Sequence, residues 1–139
     1  MGMKPVRRNP FPVDGDKPFG PMGGTKMAQP SDTRHVVVYV TAPVAEAAPL
    51  ASALLQQQLA ACVNIVPAIR SLYRWEGELC DDQESLLIIK TRADLLDRLR
   101  QAVVDKHPYE VPEVIALPVV GGHGPYLAWI DQVTQSATD

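Results

Sequence analysis

Two strand-like runs joined by Glu76-Gly77 constrain the fold of this chain more than any other feature. Cys62 to Trp75 reads as one long strand, with Val63, Ile65, Pro67 and Ile69 on one face by the period of two. Gly77 supplies the positive φ of a tight turn, so the chain doubles back and runs from Glu78 to about Lys90. The returning run is polar beside the turn and continuously apolar over Leu86-Leu87-Ile88-Ile89. The hairpin therefore protrudes at its turn end and enters a core at its other end. Pro67 has no N–H to give a ladder, which places an edge or a bulge there.

The flanking segments supply what such a hairpin packs on. Arg34 to Thr41 holds a β-branched and aromatic run closed by Ala42-Pro43, a buried first strand. Ala47, Leu50, Ala51, Leu54, Leu55 and Leu59 recur at helical spacing, and Pro49, tolerated only in or near a first turn, starts that helix no earlier than about Val44. A second helix carries the stripe Leu95, Leu96, Leu99, Ala102 and Val103, with Thr91 or Asp94 as its cap and His107-Pro108 as its end. Pro112 opens a strand over Glu113 to Val120. A final helix starts at Pro125 and presents Tyr126, Trp129, Ile130 and Val133 at i, i+3, i+4 and i+7. The order is βαββαβ with an added helix, an α+β ferredoxin-like sandwich with a long protruding hairpin.

Residues 1–30 stand apart from this pattern. They hold five Gly and six Pro, no apolar periodicity, and five basic against two acidic residues, too little apolar surface to offset ordering entropy. They read as a disordered or appended tail, and residues 31–139 as the single folded domain. From Ser31 onward eight Lys plus Arg face fourteen Asp plus Glu, a net charge of −6 that disfavours nucleic acid and anionic membrane and attracts cations. No apolar run approaches the roughly 20 residues that span a bilayer. Cys62 and Cys80 stand alone, without the close spacing of a zinc site, and read as reduced thiols of a cytoplasmic protein.

Candidate chemistry falls into three groups. Glu76, Glu78, Asp82 and Glu84 are even-numbered on one ribbon, so alternation can put their carboxylates on one face, a weak site for hard divalent ions or a solvated face that deters edge pairing. His107 is either a metal ligand or a helix C-cap, and Cys62 is a soft donor or a small buried hydrophobe. Tyr73, Trp75, Glu76, Lys90, His107, Tyr109 and Glu110 line either a cleft for a small anionic or zwitterionic ligand or a subunit interface. His107 and Glu110 would be an acid/base pair, but no nucleophile elbow, phosphate loop or zinc-hydrolase spacing accompanies them, so the chain reads as a non-enzyme with no organic cofactor.

Three phrases, Ala61-Cys62-Val63-Asn64-Ile65, Ser71-Leu72-Tyr73-Arg74-Trp75-Glu76-Gly77-Glu78 and His107-Pro108-Tyr109-Glu110-Val111-Pro112-Glu113, occur in order. With Thr41-Ala42-Pro43, Ile89-Lys90-Thr91 and Tyr126-Leu127-Ala128-Trp129-Ile130, they make the stretch from about His35 to Val133 similar to the CutA family of divalent-cation tolerance proteins. The resemblance implies a homotrimer with a ferredoxin-like fold, a role in metal-ion tolerance and, in some members, copper binding. It implies His107 as a site residue. Copper-binding members add a Cys in the first strand and a His just before this one, places held here by Val40 and Lys106. Two further roles remain open at this stage, a regulatory trimer that binds a small molecule between subunits and a trimeric scaffold that anchors another protein.

Overall fold

The computed structural model describes residues 33–136, so the expected tail at residues 1–30 lies outside it. The elements are β1 (His35–Ala42), α1 (Val44–Gln56), β2 (Cys62–Trp75), β3 (Glu78–Arg92), α2 (Leu96–Lys106), β4 (Val114–Pro118) and α3 (Gly124–Val133), with a 3-10 turn, Ala93–Leu95, leading into α2. The four strands form one antiparallel sheet in the order β2-β3-β1-β4. This is the ferredoxin-like α+β arrangement expected from the element order.

The core lies between one sheet face and two helices. Val36, Val38, Val40 and Ala42 of β1 and Leu87 and Ile89 of β3 meet Ala47, Leu50, Ala51 and Leu54 of α1 and Leu95, Leu99 and Val103 on the α2 side. Alternation sends the other residues of each strand to the opposite face. There Val37, Tyr39 and Thr41 of β1 lie beside Lys90, Ile88 and Leu86 of β3, and Leu117 and Ile115 of β4 oppose Val37 and Tyr39. Part of that face is met by α3, where His35 Nε2 lies 2.9 Å from Asp131 Oδ1 and Ile130 is buried.

Helix ends show where local chemistry departs from expectation. Pro49 sits inside α1, beyond its first turn, so Ala45 loses the amide partner its carbonyl would have had. Gln58, at φ 58°, ends α1 by donating to Leu55 O while Leu59 N donates to Leu54 O, the paired bonds of a Schellman cap without its usual glycine. Thr91 and Asp94 do not cap α2. The Thr91 hydroxyl donates to Leu59 O at 2.7 Å, and Asp94 takes a bond from Arg92 at 2.6 Å. β4 is shorter than expected, ending at Pro118.

The hairpin carries one irregularity with consequences for the site. Val66 opposes Leu86, yet Ile69 opposes Glu84, so Pro67 and Ala68 together face Ser85 as a bulge. Above the bulge odd residues of β2 pair with odd residues of β3; beyond it they pair with even ones. Ile69 therefore leaves the face that Val63 and Ile65 share, against the simple period-two expectation.

Candidate functional site

The bulge puts Tyr73 and Trp75 on the same ribbon face as the carboxylates. Beyond it Tyr73 opposes Cys80, Trp75 opposes Glu78 and Ser71 opposes Asp82, so Glu78, Asp82 and Glu84 share their face with both aromatics. Without the extra residue those rings would point to the helix side. The Tyr73 hydroxyl donates to Asp82 Oδ2. Glu76 sits in the turn itself, at φ 51°, followed by Gly77 at φ 80°. The opposite ribbon face holds Arg70 paired with Asp81 at 2.7 Å, and exposed Leu72 and Leu79. That bond to Arg70 lowers the Asp81 carboxyl below its ordinary range and raises the Arg70 guanidinium above its own.

At the foot of the ribbon Glu84 is buried, not solvated with the other carboxylates. The Tyr109 hydroxyl donates to Glu84 Oε2 at 2.8 Å. Tyr109 reaches it because α2 ends at His107, which is buried and anchored on both ring nitrogens. Nε2 lies 2.7 Å from the Thr41 carbonyl oxygen, and Nδ1 lies 3.1 Å from the Tyr109 amide nitrogen. A carbonyl can only accept and an amide can only donate, so the proton sits on Nε2 and Nδ1 is bare. The two rings tilt against each other at 4.7 Å. The Thr41 hydroxyl donates to Glu113 Oε1 at 3.3 Å, so the end of β1 is tied to the start of β4 as well.

Lys90 and Cys62 belong to the other end of the sheet. They oppose each other across β2 and β3, and the Lys90 ammonium donates to Asn64 Oδ1 while the Cys62 thiol lies 3.9 Å from the same oxygen. Tyr126 of α3 comes over this group. Partial burial and then the charge and hydrogen bond of Cys62 raise its phenol above the ordinary value. Lys90 lies six steps along β3 from Glu84, about 20 Å at the usual rise.

The expected constellation therefore divides within one chain. Tyr73 and Trp75 stand on the ribbon, His107 and Tyr109 at its foot, Lys90 at the far end, and Glu110 is exposed in the connection before β4. Among the described residues no three His, Cys, Asp or Glu side chains converge as a metal site. Copper favours thiolate and imidazole, and the two groups of that kind expected as ligands, Cys62 and His107, lie at opposite ends of the sheet, with both nitrogens of the imidazole engaged. A copper centre does not fit a single chain. Thr41, Glu113 and Asn64 escaped the reading of the sequence as site residues. Only their outward parity could have pointed to Thr41 and Asn64.

An antiparallel four-stranded sheet with two helices on one face, a ribbon beyond it and a third helix returning over the other face places the chain among small ferredoxin-like α+β proteins. The family described as CutA1 divalent ion tolerance protein matches residues 36–133, and the chain belongs to that family. The chloroplastic CutA protein of Arabidopsis thaliana is 54% identical over 102 residues, covering 73% of this chain and 56% of that protein. The divalent-cation tolerance protein CutA of Thermus thermophilus is 48% identical over 99 residues, covering 70% of this chain and 96% of the relative. The crystal structure of CutA1 from Oryza sativa superposes with a TM-score of 0.72 at 51% identity, over 74% of this chain and 95% of that one. The chain thus spans little more than half the length of its plant relatives. No helix among the described residues is long and apolar enough to cross a membrane.

Proposed function

We propose that this chain is a cytoplasmic, non-enzymatic homotrimer that binds divalent cations, copper in the first instance, and contributes to metal-ion tolerance. The observation that carries the reading is a sheet apolar on both faces in a chain of this family, with helices α1 and α2 covering one face only. Tyr39, Ile115 and Leu117 are exposed on the other face, a surface suited to further copies of the chain. Assembly would also bring ribbon carboxylates of one copy toward donors of the next. Glu76, Glu78 and Asp82, the last alongside its bond from Tyr73, with Cys62 as the soft donor, are the groups that would meet an ion, and the net charge of −6 from Ser31 onward draws cations to them. Calorimetric titration of copper into the assembled protein tests this. Uptake that weakens in Glu78→Gln with Asp82→Asn supports it, and absence of uptake of any divalent ion overturns it.

A second reading is favoured by one observation. Tyr73 and Trp75 are half-buried in a single subunit and share their face with Asp82 and the buried Glu84, which suits a small ligand held in an intersubunit cleft. Saturable quenching of Trp75 fluorescence by a small molecule, lost in Tyr73→Ala, would favour it over metal.

A further inference from the structure

We infer that His107 is a positioning residue and not a metal ligand: a neutral Nε2–H imidazole clamped between the Thr41 carbonyl and the Tyr109 amide, it holds the Tyr109 hydroxyl on Glu84. The sequence offers this ring as the foremost soft donor. The geometry removes both of its lone-pair options. A metal at Nδ1 has to take the pair that the Tyr109 N–H occupies at 3.1 Å, and a metal at Nε2 has to expel the proton that Thr41 O accepts at 2.7 Å. The residue is 8% exposed. The cavity that reaches it lies on the helix side, lined by Glu46, Pro49, Leu50, Ala53, Lys106 and Pro108, and it adds no second imidazole or thiol donor beside the ring.

What the clamp secures is a chain of contacts across three elements. It joins the end of β1 to the end of α2, fixes the backbone at Tyr109, packs the tilted Tyr109 ring against the imidazole at 4.7 Å, and so aims a phenol at a carboxylate buried at the foot of β3. A buried carboxylate is costly without donors, and the Tyr109 hydroxyl supplies one to Glu84. His107 thus prepares the ribbon end of the sheet for whatever docks there, and its effect on any bound ion is indirect.

Ring-nitrogen NMR on the full-length protein decides the matter, with the His107 signals assigned by their loss in His107→Gln. The expected signature at neutral pH is a single neutral tautomer, protonated at Nε2 and bare at Nδ1, unchanged when copper-mimicking zinc is added. A doubly protonated ring, the opposite tautomer, or a shift of either nitrogen on zinc addition overturns the inference. Amide exchange supplies the second arm. Exchange at Tyr109 should quicken about tenfold in His107→Ala and return toward the wild-type rate in His107→Asn, whose carbonyl stands in for Nδ1. Equal rates in the two variants would overturn the clamp. Copper affinity in His107→Asn should match the wild type within about twofold, and a loss of more than about tenfold in that folded variant would make the ring a ligand after all. Should the wild type take up no metal, the metal reading falls while the ring nitrogens still decide the clamp.

Discussion

Tyr109→Phe removes one donor from a buried carboxylate while keeping the ring volume, so it isolates the Glu84 contact. The expected cost is about 1–3 kcal/mol, read from urea unfolding, and Glu84→Gln should recover part of it because an amide brings its own donor. Tyr126 gives a pH-dependent counterpart. Its phenol is raised in the folded state by partial burial and by Cys62, so the neutral form is favoured in the fold. The associated stability is intact below the ordinary tyrosine value of about 10 and is lost as pH rises through the raised one. Melting temperature should fall more steeply above that pH in the wild type than in Tyr126→Phe. Equal slopes would show that Tyr126 does not carry the effect. Residue identities and parity were legible in the chain: alternation grouped Glu78, Asp82 and Glu84 on one face. Burial was not, because the cover over Glu84 arrives from Tyr109, 25 positions away.

At the scale of elements the hairpin shows both what local chemistry dictates and where it stops. Glu76-Gly77 signals a two-residue turn, and the structure places both residues at positive φ. Glutamate is strained there, so Glu76→Asn should stabilise by about 0.5–1 kcal/mol, measured as a raised melting temperature with unchanged oligomer mass. No gain would mean that Glu76 makes a compensating contact in the assembly. Pro67 signals a bulge and one is present, yet its consequence escapes a residue-by-residue reading. A single extra residue exchanges the faces of everything beyond it, carrying Tyr73 and Trp75 to the carboxylate side. Likewise Thr91 has the side chain of a cap, but β3 runs on through Arg92 and its buried hydroxyl donates to Leu59 O. Such competition is decided by tertiary placement, which propensity does not encode.

For the whole molecule the decisive feature is a sheet with two apolar faces and one layer of core helices. Val37, Tyr39, Leu86, Ile88, Ile115 and Leu117 occupy the face opposite the core, whereas an antiparallel sheet open to water on that side would alternate to polar residues. The same division explains the separation of the expected cleft. Lys90 lies about 20 Å along β3 from Glu84, so in one chain it does not join the ribbon aromatics and the His107 group in the expected cleft. A substitution on the outward face tests this with little risk to folding. Ile115 is 52% exposed in the single chain, so Ile115→Glu should leave its circular dichroism near wild type. If the proposed trimer closes over this face, that carboxylate would be buried without a partner in every copy. Light scattering should therefore report a three-chain mass for the wild type and a single-chain mass for Ile115→Glu. Trp75→Ala, which removes an aromatic anchor worth about 2 kcal/mol, should give a trimer that dissociates on dilution. A wild-type mass of one or two chains would overturn the homotrimer, and with it the route by which ribbon carboxylates and Cys62 of different copies could share an ion.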